Sequence, residues 1–127
     1  VALIDLDHFK NVNDTFGHKA GDKALVMIGR LLHERLRETD FIARFGGEEL
    51  VVLLIGAVAD DARRIADEMR RAVEHGGLHA HGKPVHVTVS GGLTLFKAGD
   101  APSEAFDRAD QAMYRAKQAG KNQVVVG

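Results

Sequence analysis

The apolar positions of the chain follow two periods, and each period predicts one kind of element. Residues 1–6 are nearly all apolar and end abruptly in a polar string at positions 5–14, which predicts a short buried strand with functional groups at its exit. From position 85 valines alternate with polar residues, which predicts a half-buried strand that continues towards Leu95. Other strand-like runs occupy residues 41–44, 49–55 and 124–126.

Three stretches place apolar residues at three- and four-residue steps, which predicts helices that cover a sheet. The first extends over residues 21–37, and the second covers residues 62–73 and ends before Gly76-Gly77. The third extends over residues 103–119, with Ser103 as its predicted N-cap. Because strands and helices alternate, the fold class is α/β or α+β, with helices packed on one sheet.

Composition restricts the classes of function. The 127 residues suit a single domain, and 45% hydrophobic with 28% charged residues is typical of a soluble globular chain. A net charge of −1 gives no bulk signature of a nucleic-acid or membrane binder, so we expect no nucleic-acid partner and no membrane contact by this domain. The absence of cysteine excludes disulfides and thiolate chemistry and fits a reducing, cytoplasmic compartment.

The exit of the first strand carries two candidate ligands for a cation. Asp5 and Asp7 directly follow apolar residues, where a buried carboxylate is costly unless it is hydrogen-bonded or bound to a cation. A hard divalent ion such as Mg²⁺ is held by such carboxylates together with main-chain carbonyls, waters and substrate phosphates. From composition alone, the two side chains could equally cap a turn.

A second acidic pair lies in the segment R-F-G-G-E-E-L at positions 44–50. Gly46-Gly47 predicts a tight hairpin with positive φ angles, and Glu48 and Glu49 would lie at its tip. Adjacent acidic residues at a tip are usually only solvated. Paired with another acidic strand end, however, one of them could share a metal in a two-metal site for nucleotidyl transfer.

Three motifs then follow in a recognisable order. They are D-L-D-H-F-K-x-x-N-D-x-x-G-H-x-x-G-D-x-x-L at 5–25, R-F-G-G-E-E-L at 44–50 and Y-R-A-K-x-x-G-K-N at 114–122. Together they closely resemble the GGDEF family of diguanylate cyclases. The resemblance implies a palm-like central mixed β-sheet flanked by helices, related to nucleotidyl cyclase cores, with the signature hairpin beside the end of the first strand.

The same resemblance implies an activity and partners. The reaction would condense two GTP molecules into cyclic di-GMP and two pyrophosphates, with one GTP held by each subunit of a head-to-head homodimer. Asp5 and Glu48 would coordinate Mg²⁺ through their carboxylates and Leu6 through its main-chain carbonyl, with two ions in each active site and Mn²⁺ able to stand in. Glu49, the third catalytic candidate beside Asp5 and Glu48, would either assist deprotonation of the attacking 3′-hydroxyl or only balance charge.

Ten positions resemble the family's substrate-binding residues: Phe9, Lys10, Asn13, His18, Asp22, Leu25, Gly46, Gly47, Lys117 and Lys121. Phe9 and Lys10 would offer main-chain amides to the triphosphate, and the two late lysines would neutralise its charge as a pair one helical turn apart. Cations also occur at helix C-termini without any ligand, so that interpretation stays open.

The base-reading positions complete this set. Asn13 and Asp22 match the family's guanine readers, with Leu25 lining the pocket, and an Asp carboxylate accepts from guanine N1–H and the exocyclic amine together. His18 matches a position near the substrate, although a lone histidine is more often structural.

Arg37-Glu38-Thr39-Asp40 matches the spacing of the family's R-x-x-D product-inhibition site, because five residues separate Asp40 from Gly46. An arginine fork and a carboxylate can bind a guanine edge and a phosphate of cyclic di-GMP. The alternative is an i, i+3 ion pair at a helix end.

The sequence departs from the family pattern at three places. Leu50 replaces the usual Phe of the signature, and Gly92 stands where the family more often has an apolar residue. The D-x-L-T-G-like helical segment at the family's N-terminus is absent, so we expect residues 1–127 to be an N-terminally truncated domain that exposes apolar surface. We also expect an upstream sensory or regulatory domain, with or without a membrane tether.

Two other functions remain open at this level. A catalytically inactive GGDEF domain would bind GTP or cyclic di-GMP as a receptor, and a structural dimerisation module would carry the acidic residues incidentally. A transition-metal site is conceivable among the histidines, since His79 and His81 would share a face of an extended segment. No third ligand stands at a convincing spacing from them.

Overall fold

Seven strands and four helices are formed by the part of the chain that this computed structural model describes, residues 1–77, 79–80 and 82–127. In chain order they are β1 (Ala2–Asp7), α1 (Phe9–Phe16), α2 (His18–His33), β2 (Phe41–Arg44), β3 (Glu49–Leu53), α3 (Ala59–Glu74), β4 (His79–Ala80), β5 (Lys83–Pro84), β6 (Thr88–Leu93), α4 (Pro102–Gln118) and β7 (Val124–Val126).

A five-stranded mixed sheet has the order β2-β3-β1-β6-β7, and β4 pairs with β5 as a separate two-stranded sheet. β1 is antiparallel to both of its neighbours, whereas β6 and β7 are parallel. The central position of β1 explains its nearly continuous apolar sequence, because both of its faces are covered. In this register Asp5 lies opposite Glu49 of β3 and opposite Ser90 of β6.

The two faces of the sheet build two apolar clusters. Ala2, Ile4 and Leu6 of β1 enter the larger cluster with buried side chains of α1, α2 and α3. Val1 and Leu3 point to the opposite face, where they pack with buried alanines of α4. This alternation follows from the two-residue period of a strand, and it sends Asp5 to the face that α4 covers.

Gly92 has a clear packing reason in the structure. A Cβ atom at this position would overlap the main-chain carbonyl of Ala109 and the amide of Met113. The α4 backbone therefore lies directly on β6, an approach that only a residue without a side chain permits.

Several predicted boundaries are wrong. The polar string after β1 contains an unpredicted helix, α1, and α2 begins at His18 and ends at His33 rather than extending over residues 21–37. Ser103 lies inside α4, which begins at Pro102, whose φ suits the first turn. The Glu104 carboxylate, rather than Ser103, accepts from the main-chain amide that precedes this helix, that of Ala101.

Two strand predictions also change. β6 begins at Thr88, so Val85 lies outside the strand, and the sheet buries both faces of its later part rather than one. Gly46 and Gly47 join β2 to β3 without positive φ angles, so the predicted reason for the turn is wrong although the hairpin itself forms.

Apolar surface is exposed at the edge formed by β2 and the following turn. Phe41 is 62% exposed and Phe45 is 58% exposed, although the Phe45 ring stacks on Phe106 of α4 at a centroid distance of 5.6 Å. No helix in the described ranges is both long and apolar enough to cross a membrane.

Candidate active site

Asp5 is a buried acidic residue whose carboxylate lacks part of its hydrogen bonding. It is buried in the middle of the sheet, and its Oδ2 accepts a hydrogen bond of 2.8 Å from the Lys117 ammonium of α4. Its Oδ1 is buried without a hydrogen-bond partner. A buried oxygen of this kind is costly to leave unsatisfied, and it is available to a cation.

Asp7, two residues further on, is fully engaged by protein groups. Its Oδ1 accepts from the Ser90 hydroxyl at 2.7 Å, and its Oδ2 accepts from the Thr88 hydroxyl at 2.7 Å and from the main-chain amide of Asn122 at 3.0 Å. Asp7 therefore ties β1 to β6 and to the turn after α4, which is a structural role. Residue chemistry alone leaves both carboxylates as candidate ligands; the family resemblance favours Asp5, and the contacts of the two side chains show how they differ.

The signature turn lies directly beside the exit of β1. The main-chain carbonyl of Glu48 accepts from the Leu6 amide at 3.2 Å, and Glu49 begins β3 opposite Asp5. The predicted ligands Asp5, Leu6 and Glu48 are thus neighbours across one strand pair. Glu48 lies in the turn itself, whereas Glu49 belongs to the strand.

Arg44 stabilises this turn and was missed by the sequence analysis. Its guanidinium donates to the main-chain carbonyls of Gly46 at 3.3 Å and Gly47 at 2.6 Å. These hydrogen bonds hold the conformation of the glycine pair. The sequence instead predicts a turn formed through positive φ angles at the two glycines. The only sequence signal was the position of Arg44 in the R-F-G-G segment.

An acidic cluster surrounds the middle of this site. The pKa of Glu49 is raised, first by burial and then by the negative charges of Asp5 and Asp110, and the nearby Lys117 acts in the opposite direction. Asp110 lies on α4 and was not among the predicted site residues. The mutual repulsion of these carboxylates favours the entry of a cation.

The donor set fits a hard divalent cation. Two carboxylates and a main-chain carbonyl are oxygen ligands of the type that Mg²⁺ takes, and the unpartnered Oδ1 of Asp5 supplies a free ligand atom. Among the described residues no group of three or more His, Cys, Asp or Glu side chains could hold a metal by itself. The remaining ligand positions would therefore belong to water and substrate.

A cleft of about 460 Å³ between α2 and the β2–β3 hairpin contains two of the predicted base-reading residues. Asp22 and Leu25 line it from α2, and Leu50 lines it from β3. Leu50 is buried in the larger core cluster, so the departure from the usual Phe changes the packing at this wall.

Asn13 lies beside this helix and carries the second orphaned oxygen. Its Oδ1 is buried without a hydrogen-bond partner. A Cβ atom on Gly21 of α2 would overlap this oxygen, so Asn13 needs a glycine across from it. Among the described residues, Asp5 and Asn13 hold the buried side-chain oxygens without partners, and both are predicted ligand contacts.

The predicted phosphate contacts approach the same strand exit from two directions. α1 begins at Phe9, one residue after the end of β1, so the amides of Phe9 and Lys10 belong to its first turn, where main-chain N–H groups lack helical partners. Phe9 is buried in the core and Lys10 is exposed. Lys117 is held by Asp5, whereas Lys121 follows the end of α4, so the two lysines are not one helical turn apart on a helix as predicted.

Two histidine predictions have different outcomes. His18 lines a separate cleft of about 570 Å³ with Lys19, Met27 and His79, and it does not line the cleft that contains Asp22. His81, half of the conceivable metal pair, lies outside the described residues.

Arg37 and Asp40 form a preorganised pair in the turn after α2. The Arg37 guanidinium donates to Asp40 at 3.0 Å and 2.9 Å, and the main-chain amides of Arg37 and Ile55 donate to the same carboxylate at 2.9 Å and 3.2 Å. The hydrogen bonds from Arg37 lower the pKa of Asp40 most strongly. The Asp40 side chain is fully buried, whereas that of Arg37 is 46% exposed, so a ligand could reach the arginine.

Comparisons with known proteins identify the family of this chain. Residues 1–123 match the protein family described as "Diguanylate cyclase, GGDEF domain". Diguanylate cyclase DgcP of Pseudomonas aeruginosa is 48% identical over 126 residues, which are 99% of this chain and 19% of that protein. The chain spans about a fifth to a third of the length of the curated relatives it matches.

Two solved structures show the same fold. The crystal structure of diguanylate cyclase SiaD with its activator SiaC, from Pseudomonas aeruginosa, superposes with a TM-score of 0.95 at 37% identity and covers 99% of this chain and 48% of that one. The GGDEF domain of DgcB from Caulobacter crescentus, crystallised with c-di-GMP, has a TM-score of 0.93 at 31% identity and covers 98% of this chain and 75% of that one. The predicted fold class is confirmed.

Proposed function

Because this chain belongs to the GGDEF family of diguanylate cyclase domains, we propose that it condenses two GTP molecules into cyclic di-GMP and two pyrophosphates. The observation that carries the proposal is the unpartnered Oδ1 of Asp5, buried beside the turn that bears Glu48. A fold that only needed rigidity would satisfy this oxygen, as it satisfies both oxygens of Asp7.

Asp5, Leu6 and Glu48 would hold Mg²⁺, two ions for each site, with Mn²⁺ as a substitute. When bound, the ions supply charge neutralisation at the phosphates and lower the pKa of the attacking 3′-hydroxyl. Lys117 neutralises part of the charge of Asp5 through its 2.8 Å ion pair and thereby limits the repulsion among the acidic side chains. Glu49, whose pKa is raised by burial and neighbouring carboxylates, is the side chain able to accept a proton there.

Separate groups bind the base and the triphosphate. Asp22 and Asn13 would hydrogen-bond the guanine edge, and Leu25 would contact its face. The first-turn amides of α1 would bind phosphate oxygens, because they are unpaired donors at the positive end of a helix. Lys121 would add a positive charge from the turn after α4.

The reaction requires two copies of this site. Each subunit would hold one GTP, so the two half-sites meet in a homodimer, and an upstream regulatory domain would control how they meet. The cysteine-free composition agrees with a reducing cytoplasmic location for the reaction.

Incubation with GTP and Mg²⁺, followed by chromatographic separation of the nucleotides, tests this function. We expect wild type to form cyclic di-GMP, and we expect Glu48→Gln to lose turnover while remaining folded, because the change removes a ligand charge and no core volume. Glu34→Gln removes the charge of a side chain that is 65% exposed at the end of α2, and it serves as the matched control.

The outcome also separates the alternative function. Wild-type protein that forms no cyclic di-GMP, yet binds it, would be a receptor rather than a cyclase. Near-normal turnover of Glu48→Gln would remove Glu48 from the metal site.

We further propose that Arg37 and Asp40 mediate product inhibition. The exposed guanidinium of Arg37 would bind the product, while the buried Asp40 orients it. Arg37→Ala should weaken inhibition by cyclic di-GMP by roughly ten- to a hundredfold, the equivalent of one charge-assisted hydrogen bond, with an unchanged rate in the absence of product. Initial rates at increasing concentrations of added cyclic di-GMP measure the inhibition. Equal inhibition of wild type and Arg37→Ala would show that Arg37 and Asp40 form an ion pair without a role in product binding.

A further inference from the structure

The turn between α4 and β7 has an unusual backbone. Lys121 and Asn122 have φ angles of 66° and 48°, both in the left-handed region that residues with a side chain rarely adopt. Lys121 is exposed, and its ammonium makes no hydrogen bond or ion pair with any described residue. A turn in this conformation persists only where surrounding groups hold it.

Three side chains, one from the sheet and two from α3, hold Asn122. From the sheet, the Asp7 carboxylate accepts from its main-chain amide at 3.0 Å. From α3, the Arg70 guanidinium donates to its side-chain oxygen at 3.0 Å, and the Glu74 carboxylate accepts from its side-chain nitrogen. Asn122 thus uses its main chain to contact the strand exit and its side chain to contact α3.

Arg70 is itself held in a fixed position. Its side chain is only 15% exposed, and it pairs with Asp67 at 2.8 Å and with Glu74 at 3.6 Å on the same helix. The neighbouring Arg71 also pairs with Asp67, at 3.0 Å, but its side chain is 66% exposed. Arg70 therefore faces the polar cleft lined by Asn122, whereas Arg71 faces solvent.

We propose that Arg70 is a positioning residue for the triphosphate of the substrate: through the Asn122 side chain it holds the turn that aims Lys121 at the exit of β1. The proposal rests on the proposed function, since it assumes that Lys121 binds phosphate. Arg70 acts from α3 on the turn that precedes β7, and in this role it would not itself contact the substrate. Its contribution is to keep Lys121 in place before the ligand arrives.

Four variants test this role. Arg70→Met removes the guanidinium and retains the apolar stem, and Asn122→Gly removes the side chain that Arg70 binds while favouring the left-handed φ. Arg71→Met is the matched control, because it removes an arginine from the same helix that also pairs with Asp67. Lys121→Met measures how much of the phosphate affinity belongs to Lys121.

The readout is the affinity of the full chain for GTP relative to GMP, measured by calorimetry, because this ratio isolates the contribution of the outer phosphates. We expect Arg70→Met and Asn122→Gly each to lower the ratio about tenfold, the effect of losing one charge-assisted hydrogen bond. Their combination should lower it no further, and Arg71→Met should leave it unchanged. GMP affinity should stay constant in all of them.

Hydrogen–deuterium exchange gives a second readout that needs no ligand. Exchange in residues 119–123 should accelerate in Arg70→Met and stay at the wild-type rate in Arg71→Met, while exchange in β1 stays slow in both.

Three outcomes would overturn the proposal. Equal losses in GTP and GMP affinity would show a general structural role, and additive effects of Arg70→Met and Asn122→Gly would show that Arg70 does not act through Asn122. Wild-type protein that binds GTP and forms product, but whose affinity ratio is insensitive to Lys121→Met, would refute the positioning role and leave the proposed function intact. Absence of GTP binding by wild type would instead reject the proposed function.

Discussion

Asp5 and Asp7 occupy the same face of one strand, and their difference shows how single contacts assign roles. A buried carboxylate needs several donors to offset its lost hydration. Asp7 receives three such donors, from two hydroxyls and one main-chain amide, whereas Asp5 receives one from Lys117. The protein therefore provides hydrogen-bond donors to both oxygens of Asp7, whereas one oxygen of Asp5 is left for a bound ligand.

Base selection belongs to the scale of single residues. Asp22→Ser removes an acceptor that can bond two guanine donors at once, and it leaves a small hydroxyl that either purine can use. We expect the preference for GTP over ATP to fall by about ten- to a hundredfold. Competition between the two nucleotides measures the preference, with Asp14→Ser on the exposed side of α1 as the control. An unaltered preference would assign base reading to other residues.

The stability of the turn after α2 depends on one buried side chain. Asp40→Ala should lower the free energy of unfolding by about 1.5–3 kcal/mol, because it leaves the Arg37 guanidinium and two main-chain amides without their acceptor. Urea titration measures the loss, and Asp61→Ala, at a side chain 58% exposed, is the control. A loss no larger than that of the control would mean that water replaces the carboxylate. Any effect of Asp40→Ala on product inhibition therefore includes the loss of this turn.

At the scale of elements, α4 connects the sheet to both ends of the site. Its backbone lies on Gly92, its Lys117 reaches Asp5, and the turn after it carries Lys121. The start of the helix is fixed by Arg108, which donates to Asp100 at 2.9 Å and 2.6 Å and to the Leu95 carbonyl at 2.8 Å. Arg108 thus anchors the first half of α4 to the loop before it, and Lys117 anchors the second half to β1.

This anchor of α4 predicts an acid-sensitive contribution to stability. The Arg108 hydrogen bonds, assisted by the Lys97 amide, lower the pKa of Asp100 from 3.8 to about 2. Because the folded state favours the ionised form, the contribution is complete above about pH 4 and is lost as the pH falls towards 2. Urea midpoints of wild type and Asp100→Asn should therefore converge over this window. Asp107→Asn, an exposed position of the same helix, is the comparison, and a gap between wild type and Asp100→Asn that persists at pH 2 would contradict the assignment.

At the scale of the whole molecule, the site is assembled from four segments that are distant in sequence. β1 brings Asp5 and Leu6, the β2–β3 turn brings Glu48, α1 brings its first-turn amides, and the turn after α4 brings Lys121. The antiparallel pairing of β1 with β3 and β6 is what places these segments together. Within the described residues, this arrangement contains one set of the predicted base and phosphate contacts.

A single set of contacts predicts that catalysis takes place between two chains. If each subunit supplies one GTP as proposed, activity per chain should rise with protein concentration and level off where the dimer saturates. Initial rates across a dilution series, paired with sedimentation of the same samples, measure this dependence. Constant activity per chain at dilutions that contain only monomer would rule out the two-half-site mechanism.

The sequence by itself determined the alternation of strands and helices and named the candidate residues of the site. Local periodicity is enough to locate β1, the β2–β3 hairpin, α3 and α4, because burial of one face imposes a repeat on each element. It misplaced both ends of α2 and overlooked α1, because α1 has only eight residues and its two buried positions, Phe9 and Val12, are too few to establish a repeat. The motifs identified Asp5, Glu48 and Asp22 as candidates because each lies in a short sequence pattern that can be recognised without the fold.

Only the tertiary structure decided which of these groups are satisfied and which are free. Asp5 and Asp7 both follow apolar residues of one strand, and their different hydrogen bonding depends on Ser90, Lys117 and Asn122, which lie more than 80 residues away. The contact between Arg70 and Asn122 joins residues 52 positions apart. The pairing of strands and the packing of helices select these hydrogen-bond partners. A local sequence pattern does not encode which residues meet across such separations in the chain.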